Sequence, residues 1–291
     1  MKNRIEKEKY ENFIKKLNYF KSKGLIKILH RGFSKEFGFD KFNLHPKYHN
    51  LNDFAKLLFY YGDKSKYFWE QLNGRDFGLN EISNEIFIYI FEIFNEIGQN
   101  PIKTGTKRFI DKNKKLFEFF KNDSNKNSFV KEIEKISNKE KLELRNYYFR
   151  VIHQLGETKF KNQSPIVSSS ENNNIAKNIF SKNEIVISFW DFDFNNFSIS
   201  NSNIPVFKGK PYKNQKEISV FGAIFPHYIY SVKCRNEEIV NPAIFENLDI
   251  DEIILCGFNI NQEEFKDKLE EETKFEFGIQ SNNSRYDIIK T

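Results

Sequence analysis

The sequence predicts an α+β protein, mostly helical in its first half and rich in strands in its second. Three observations predict it. Apolar residues recur near a 3.6-residue period over 5–22 and again from 51 to 149. One β-rich run, Leu25-Ile26-Lys27-Ile28-Leu29-His30-Arg31-Gly32-Phe33, stands between these helical stretches. After Gly156 the texture changes to short β-like runs separated by Asn- and Ser-rich turns. At 291 residues, 39% hydrophobic and 30% charged, the chain can bury a sizeable core, which excludes the disordered and collagen-like classes.

The elements follow in order. Ile5, Tyr10, Phe13, Ile14, Leu17 and Phe20 make one apolar helix face, and Lys23-Gly24 ends it. The run 25–33 is a short strand with Arg31 near its exit, and Ser34 to Asn50, with its His, Pro, Gly and Asn, reads as an ordered loop. Residues 51–149 give about four helices, broken at Asn73-Gly74, Gly98-Gln99-Asn100-Pro101 and Asn122-Asp123-Ser124-Asn125. Strands are expected at 165–168, 184–190, 217–225, 227–234 and 252–257, with one helix at about 173–180 and a hairpin or long surface loops within 181–216. The whole chain, 1–291, is expected to be a single α+β domain, with 51–149 as a helical insertion or subdomain after the first strand.

Charge and cysteines bound the function. Lys plus Arg total 46 against 40 Asp plus Glu, and the net charge of +6 is spread among acidic residues, which does not suggest generic DNA coating. The two cysteines, Cys234 and Cys256, lack a metal-ligand spacing and read as buried, reduced thiols. The charged amino terminus does not read as a signal peptide, and no run approaches the ~18 apolar residues of a membrane span, so a cytoplasmic protein without a membrane partner is expected. The 33 phenylalanines stand against four alanines, an excess that reads as core filling in an AT-rich coding sequence.

Three windows carry the candidate chemistry. His30-Arg31-Gly32 closes the first strand. Gln163-Ser164-Pro165-Ile166-Val167-Ser168-Ser169-Ser170 runs into three hydroxyls and then a helix holding Ala176 and Phe180. Asn236-Glu237-Glu238-Ile239-Val240-Asn241-Pro242 sets a carboxylate before an apolar strand and a proline. In that order these windows resemble the Arg-Ser-Glu class of mono-ADP-ribosyltransferases. The resemblance implies an ADP-ribosyltransferase-like split β-sandwich, with NAD bound as substrate in a cleft between two small sheets. Glu238 would stabilise the oxocarbenium-like state in which the nicotinamide–ribose bond breaks and hold the ribose 2′-hydroxyl. Ser168 would orient the ribose and the glutamate. Arg31 would grip a pyrophosphate oxygen, beside Gly32, Ser169 and Ser170. Asn236 and Glu237 would face the target. Arginine-modifying members carry Glu or Gln two residues before the catalytic Glu, where this chain has Asn236.

A related likeness is to FRG domains, in which a leading helix precedes an aromatic-Arg-Gly signature and a helical stretch ends in a Gln-His-Tyr-Gly-type segment. Here Asn12-Phe13-Ile14-Lys15-Lys16-Leu17 precedes His30-Arg31-Gly32, and Ile152-His153-Gln154-Leu155-Gly156 follows the helices, which adds His153 to the implied cofactor-binding residues. These likenesses imply a toxin or antiphage effector that modifies a protein or nucleic-acid target, with an antitoxin or regulatory partner. Two alternatives stand beside it: a non-catalytic nucleotide- or nucleic-acid-binding protein of the same fold that uses Arg31, Lys159 and Lys161, and a metal-dependent nuclease using Asp191 and Asp193. The spacing of His45 and His49 around Pro46 does not suggest a metal site.

Overall fold

The computed structural model describes residues 4–63, 82–155, 166–198, 217–221 and 224–246. Residues 252–257 and Cys256, Gly156, Lys159, Lys161, and most of the expected loops in 181–216 lie outside this set. The chain divides into two compact units, one of residues 1–73, 167–197 and 215–291, the other of residues 74–166 and 198–214. The helical insertion expected at 51–149 therefore maps onto 74–166, and the helix at 51–61 belongs with the strands.

The first unit is organised by a seven-stranded sheet with strands β1 (Ile26–Phe33), β2 (Ile166–Ser170), β3 (Ile185–Phe192), β4 (Asn196–Phe197), β5 (Glu217–Phe221), β6 (Ile229–Cys234) and β7 (Glu237–Val240). Their order across the sheet is β4-β5-β2-β1-β3-β6-β7. The described strands thus form one sheet, where two small sheets were expected. Strand β3 is buried along its whole length, as its near-continuous apolar run requires for a central strand covered on both faces.

Helix α1 (Arg4–Ser22) buries Phe13, Leu17 and Phe20, the stripe its period sets out, and Phe13 meets Tyr230 of β6 at 5.9 Å between ring centroids. The segment read as a loop contains α2 (Lys35–Asp40), because Ser34 accepts a hydrogen bond from the Phe37 amide at 3.3 Å and caps the helix start. Helix α3 (Leu51–Tyr61) begins on a capping box between Asn50 and Asp53, and its Phe54 packs on Phe33 and Phe39 at 5.8 and 5.6 Å. Leu29, Phe33, Phe39, Phe54, Ile187, Phe189 and Val232 are among the residues of this unit's apolar core.

The second unit contains α4 (Asn84–Gln99), α5 (Thr104–Lys112), α6 (Lys114–Lys121), α7 (Lys126–Glu134) and α8 (Asn138–Leu155). Its core is an aromatic cluster: Phe94 stacks on Phe120 at 5.1 Å, and Tyr148 lies 5.3 Å from Phe94 and 5.9 Å from Phe129. Edge-to-face pairs of this kind are favoured by the ring quadrupole beyond the area they bury. Core filling accounts for these phenylalanines. None of the helices is long and apolar enough to cross a membrane among the described residues.

Candidate functional site

Arg31 sits near the middle of the sheet, on the face covered by α3. Its Nη1 donates to the Ser168 carbonyl at 2.8 Å, and its Nε lies 2.7 Å from Asp63 Oδ2. Asp63 is fully buried, and its second carboxylate oxygen pairs with the Lys41 ammonium. Two backbone hydrogen bonds of 2.9 Å, exchanged with Ile224, fix Asp63 in place. The preceding Gly62 has φ +74°, and a Cβ there would lie 2.3 Å from the Ile224 carbonyl oxygen, so only glycine brings the chain this close. Burial pushes the Lys41 ammonium down to about 8, against the opposing pull of Asp63.

The three serines behave differently. Ser169 is buried and donates to the Ile218 carbonyl at 2.9 Å, tying β2 to β5. Ser170 is buried and its hydroxyl accepts from the Asn172 amide at 3.1 Å, shaping the turn out of the strand. Ser168 is half-buried, and only its carbonyl meets the Arg31 guanidinium: Ser170 pairs with His30, so strand alternation puts Ser169 on the face of Arg31 and turns the Ser168 side chain to the other face. The helix expected at 173–180 is one α-turn, Asn173–Ile175, followed by a π-helical turn, Ala176–Phe180. Gly32 faces it: an added Cβ would stand 2.1 Å from the Ala176 oxygen and 2.8 Å from the Ser181 nitrogen. Close backbone approach explains this glycine without a ligand.

The sheet does not bring Glu238 to this pair. Across the antiparallel ladder Arg31 lines up with Ile187, Val232 and Ile239, whereas Gly32 lines up with Val186, Lys233 and Glu238. Residues paired directly share a face, so Arg31 and Glu238 point to opposite sides of the sheet. They are also three strand spacings apart, roughly 14 Å. Glu238 is exposed on the edge strand β7 and lies 4.0 Å from Lys233. Its charge is felt by Tyr10 of α1, whose hydroxyl is pushed up to about 12, first by burial and then by Glu238. Asn236 and Glu237 are exposed beside it, at the β6–β7 hairpin. A short hairpin edge leaves its polar side chains solvated, and that accounts for all three.

The described carboxylate on a strand flanking β2 is Glu217, at the start of β5 and half-buried. It immediately precedes Ile218, whose carbonyl holds the Ser169 hydroxyl. The sequence carries a signal for it. Glu217-Ile218-Ser219-Val220-Phe221, followed by Pro226, repeats the pattern of Glu, apolar strand and proline found at Glu238.

His153 lies half-buried on α8, in the helical unit. Asp191 is buried, and its two oxygens accept from the Asn195 and Asn196 side-chain amides at 2.9 and 3.2 Å. Asp193 is half-exposed and pairs with Lys27 at 3.1 Å. The two acids therefore staple the β3–β4 turn in different ways, and among the described residues no group of three His, Cys, Asp or Glu gathers as a metal site would need. Beneath α1, His30 Nδ1 lies 2.9 Å from the Ser188 hydroxyl; burial, with Lys21 nearby, pushes its imidazole down to about 4, so it is neutral at pH 7.

No family model, no curated protein and no solved structure matches this chain.

Proposed function

We propose that the chain is an NAD-consuming mono-ADP-ribosyltransferase of the Arg-Ser-Glu type, with an ADP-ribosyltransferase-like fold, in which Glu217 takes the carboxylate role that the sequence windows give to Glu238. The observation that carries this reading is the adjacency of three strands. Arg31 on β1 touches the Ser168 carbonyl on β2, and the neighbouring Ser169 is bonded to the residue after Glu217 on β5. Gln215 supports it from the sequence, because it stands two residues before Glu217, where the resemblance places Glu or Gln in arginine-modifying members.

In this reading the Glu217 carboxylate faces the positive charge that develops on the ribose as the C1′–nitrogen bond breaks. Nicotinamide leaves with the bonding electrons. The acceptor nucleophile attacks C1′ and loses a proton, and the ADP-ribosyl group ends on a macromolecule. The resemblance gives the ribose to Ser168, whereas on the face of the sheet that Arg31 shares the hydroxyl is that of Ser169; the guanidinium of Arg31 supplies donors to a pyrophosphate oxygen. The alternative is a non-catalytic nucleotide-binding protein of the same fold; the ion pair of Arg31 with Asp63 weighs on phosphate binding by Arg31 in both readings alike.

Labelled NAD incubated with the protein and cell extract separates the two. Label transfer or nicotinamide release that falls at least 100-fold in Glu217→Gln and is kept in Glu238→Gln is the expected result. Activity that survives Glu217→Gln refutes the assignment. NAD binding without turnover in the wild-type protein under broad conditions supports the second reading.

A further inference from the structure

The elbow between α5 and α6 concentrates positive charge. Residues 103–115 hold Lys103, Lys107, Arg108, Lys112, Lys114 and Lys115 against the one acid Asp111, a local net of +5 in a chain whose total is +6. All six cations and Asp111 are exposed. Lys114 lies 3.9 Å from Glu118, whereas Lys107, Arg108, Lys112 and Lys115 form no ion pair among the described residues.

The cations at the two helix starts are poorly placed for helix stability, whereas Lys112 lies in the last turn of α5, the favourable end. The N-cap of α5 is Lys103, the first turn of α6 begins with Lys114 and Lys115, and neither first turn contains an acid. Cations at the positive end of a helix dipole cost a few tenths of a kcal/mol each. Glu85 in the first turn of α4 and Glu140 in that of α8 show the opposite arrangement, whereas α7 also begins on a lysine, Lys126, with no acid in its first turn. The unfavourable charges are offset if an anionic partner lies over the elbow.

Three partner chemistries compete. A membrane surface would need an apolar face turned outward, yet α5 buries Thr106 and Ile110 and leaves Ile102 as the exposed large apolar side chain beside it. Protein interfaces are depleted in lysine at their centres. A phosphate backbone accepts mobile lysines as point charges, and nine helical residues extend them over roughly 13 Å, about four phosphate spacings along one strand of a duplex.

We propose that the α5–α6 elbow is a nucleic-acid contact surface that binds the phosphate backbone of DNA or RNA without reading its sequence. It is independent of the NAD chemistry proposed above, since every residue involved belongs to the helical unit. The test uses the full chain and fluorescein-labelled 20-mers of single-stranded DNA, duplex DNA and RNA, with fluorescence anisotropy between 50 and 200 mM salt.

The wild-type protein is expected to bind at least one of these, with affinity falling linearly in log–log form with salt. Lys107→Glu, Arg108→Glu and Lys112→Glu together should weaken binding at least 10-fold at 50 mM salt. The neutral triple Lys107→Gln, Arg108→Gln, Lys112→Gln should flatten the slope by about 2–3 on duplex, because each phosphate that is no longer neutralised takes about 0.9 from it. Reversal of Lys131, Lys139 and Lys141, on α7 and α8, should change affinity less than twofold, and circular dichroism confirms that each variant is folded. No binding at 50 mM salt, binding unchanged in both elbow variants, or equal capture by vesicles of phosphatidylserine and phosphatidylcholine overturns the proposal.

Discussion

Replacing Asp63 with alanine should destabilise the sheet unit by about 3–5 kcal/mol, the usual cost of removing one partner from a buried ion pair and leaving the other uncompensated. The magnitude follows from burial. The side chain of Asp63 is 0% exposed, that of Arg31 11% and that of Lys41 17%, so the substitution leaves two cations facing each other with little water to screen them. The backbone bridge from residue 63 to Ile224 does not need the carboxylate, so the loss is electrostatic and not a loss of register. Lys41→Met should cost much less, because Asp63 keeps Arg31 and an apolar chain of similar length fills the space. Urea unfolding at pH 7, in a Trp69→Phe background so that the buried Trp190 is the reporting indole, measures both. With a slope of about 3 kcal/mol/M, the alanine variant should shift the midpoint down by about 1–2 M at unchanged slope. A shift corresponding to less than about 1 kcal/mol would refute the reasoning, since it would place the triad in the range of solvated surface pairs.

Gly32→Ala should cost at least 1–3 kcal/mol, because its Cβ would meet the Ala176 carbonyl oxygen at 2.1 Å and backbone must move to admit it. Gly105→Ala, where an added Cβ meets nothing within 4 Å, should leave stability unchanged or raise it by up to ~1 kcal/mol; a thermal melt that ranks the two the other way sinks the packing argument. The pH dependence has a definite sign. Burial lowers His30 and His227 from 6.5 to about 4, so between pH 6.5 and 4 the unfolded chain binds more protons and stability falls on acidification. His227→Phe should flatten that limb at little cost at pH 7, since the buried Nε2 has no hydrogen-bond partner among the described residues, and an unchanged limb in the variant would show that His227 does not titrate there. Lys41 gives a second window: with its folded value lowered from 10.5 to about 8, stability should rise between pH 8 and 10.5 and do so less in Lys41→Met.

The parts of the fold that were legible in the sequence are those governed by local period. Helix α1, with its stripe of Phe13, Leu17 and Phe20, and strand β3, with its unbroken apolar run, stand within two residues of where the periods put them. The short α2 was not legible, because six residues are too few for a period to show and its start rests on one serine cap. Arg31 and Ser168 could be paired as windows in the right order, and they do touch. Asp63 could not be found that way, since nothing in Gly62-Asp63 announces that the chain returns to β1 there. That contact is a consequence of topology, and topology is not a function of any short window.

The choice between Glu217 and Glu238 has the same origin. Both precede an apolar strand and a proline, and only Gln215, against Asn236, distinguishes the two windows. Strand order separates them, because in an antiparallel sheet each step across moves ~4.8 Å and each step along reverses the face. β5 lies beside β2 while β7 lies four strands away from it, at the far edge, and the parity of residue 238 turns it towards α1 and away from Arg31. A carboxylate that must act within a few ångströms of a ribose held by Ser168 can come from a neighbouring strand and cannot come from that edge. The same alternation turns the Ser168 side chain to the α1 face, so distance across four strands, and not the face, separates Glu238 from Ser168, and among the described residues the carboxylate on a strand beside β2 is Glu217.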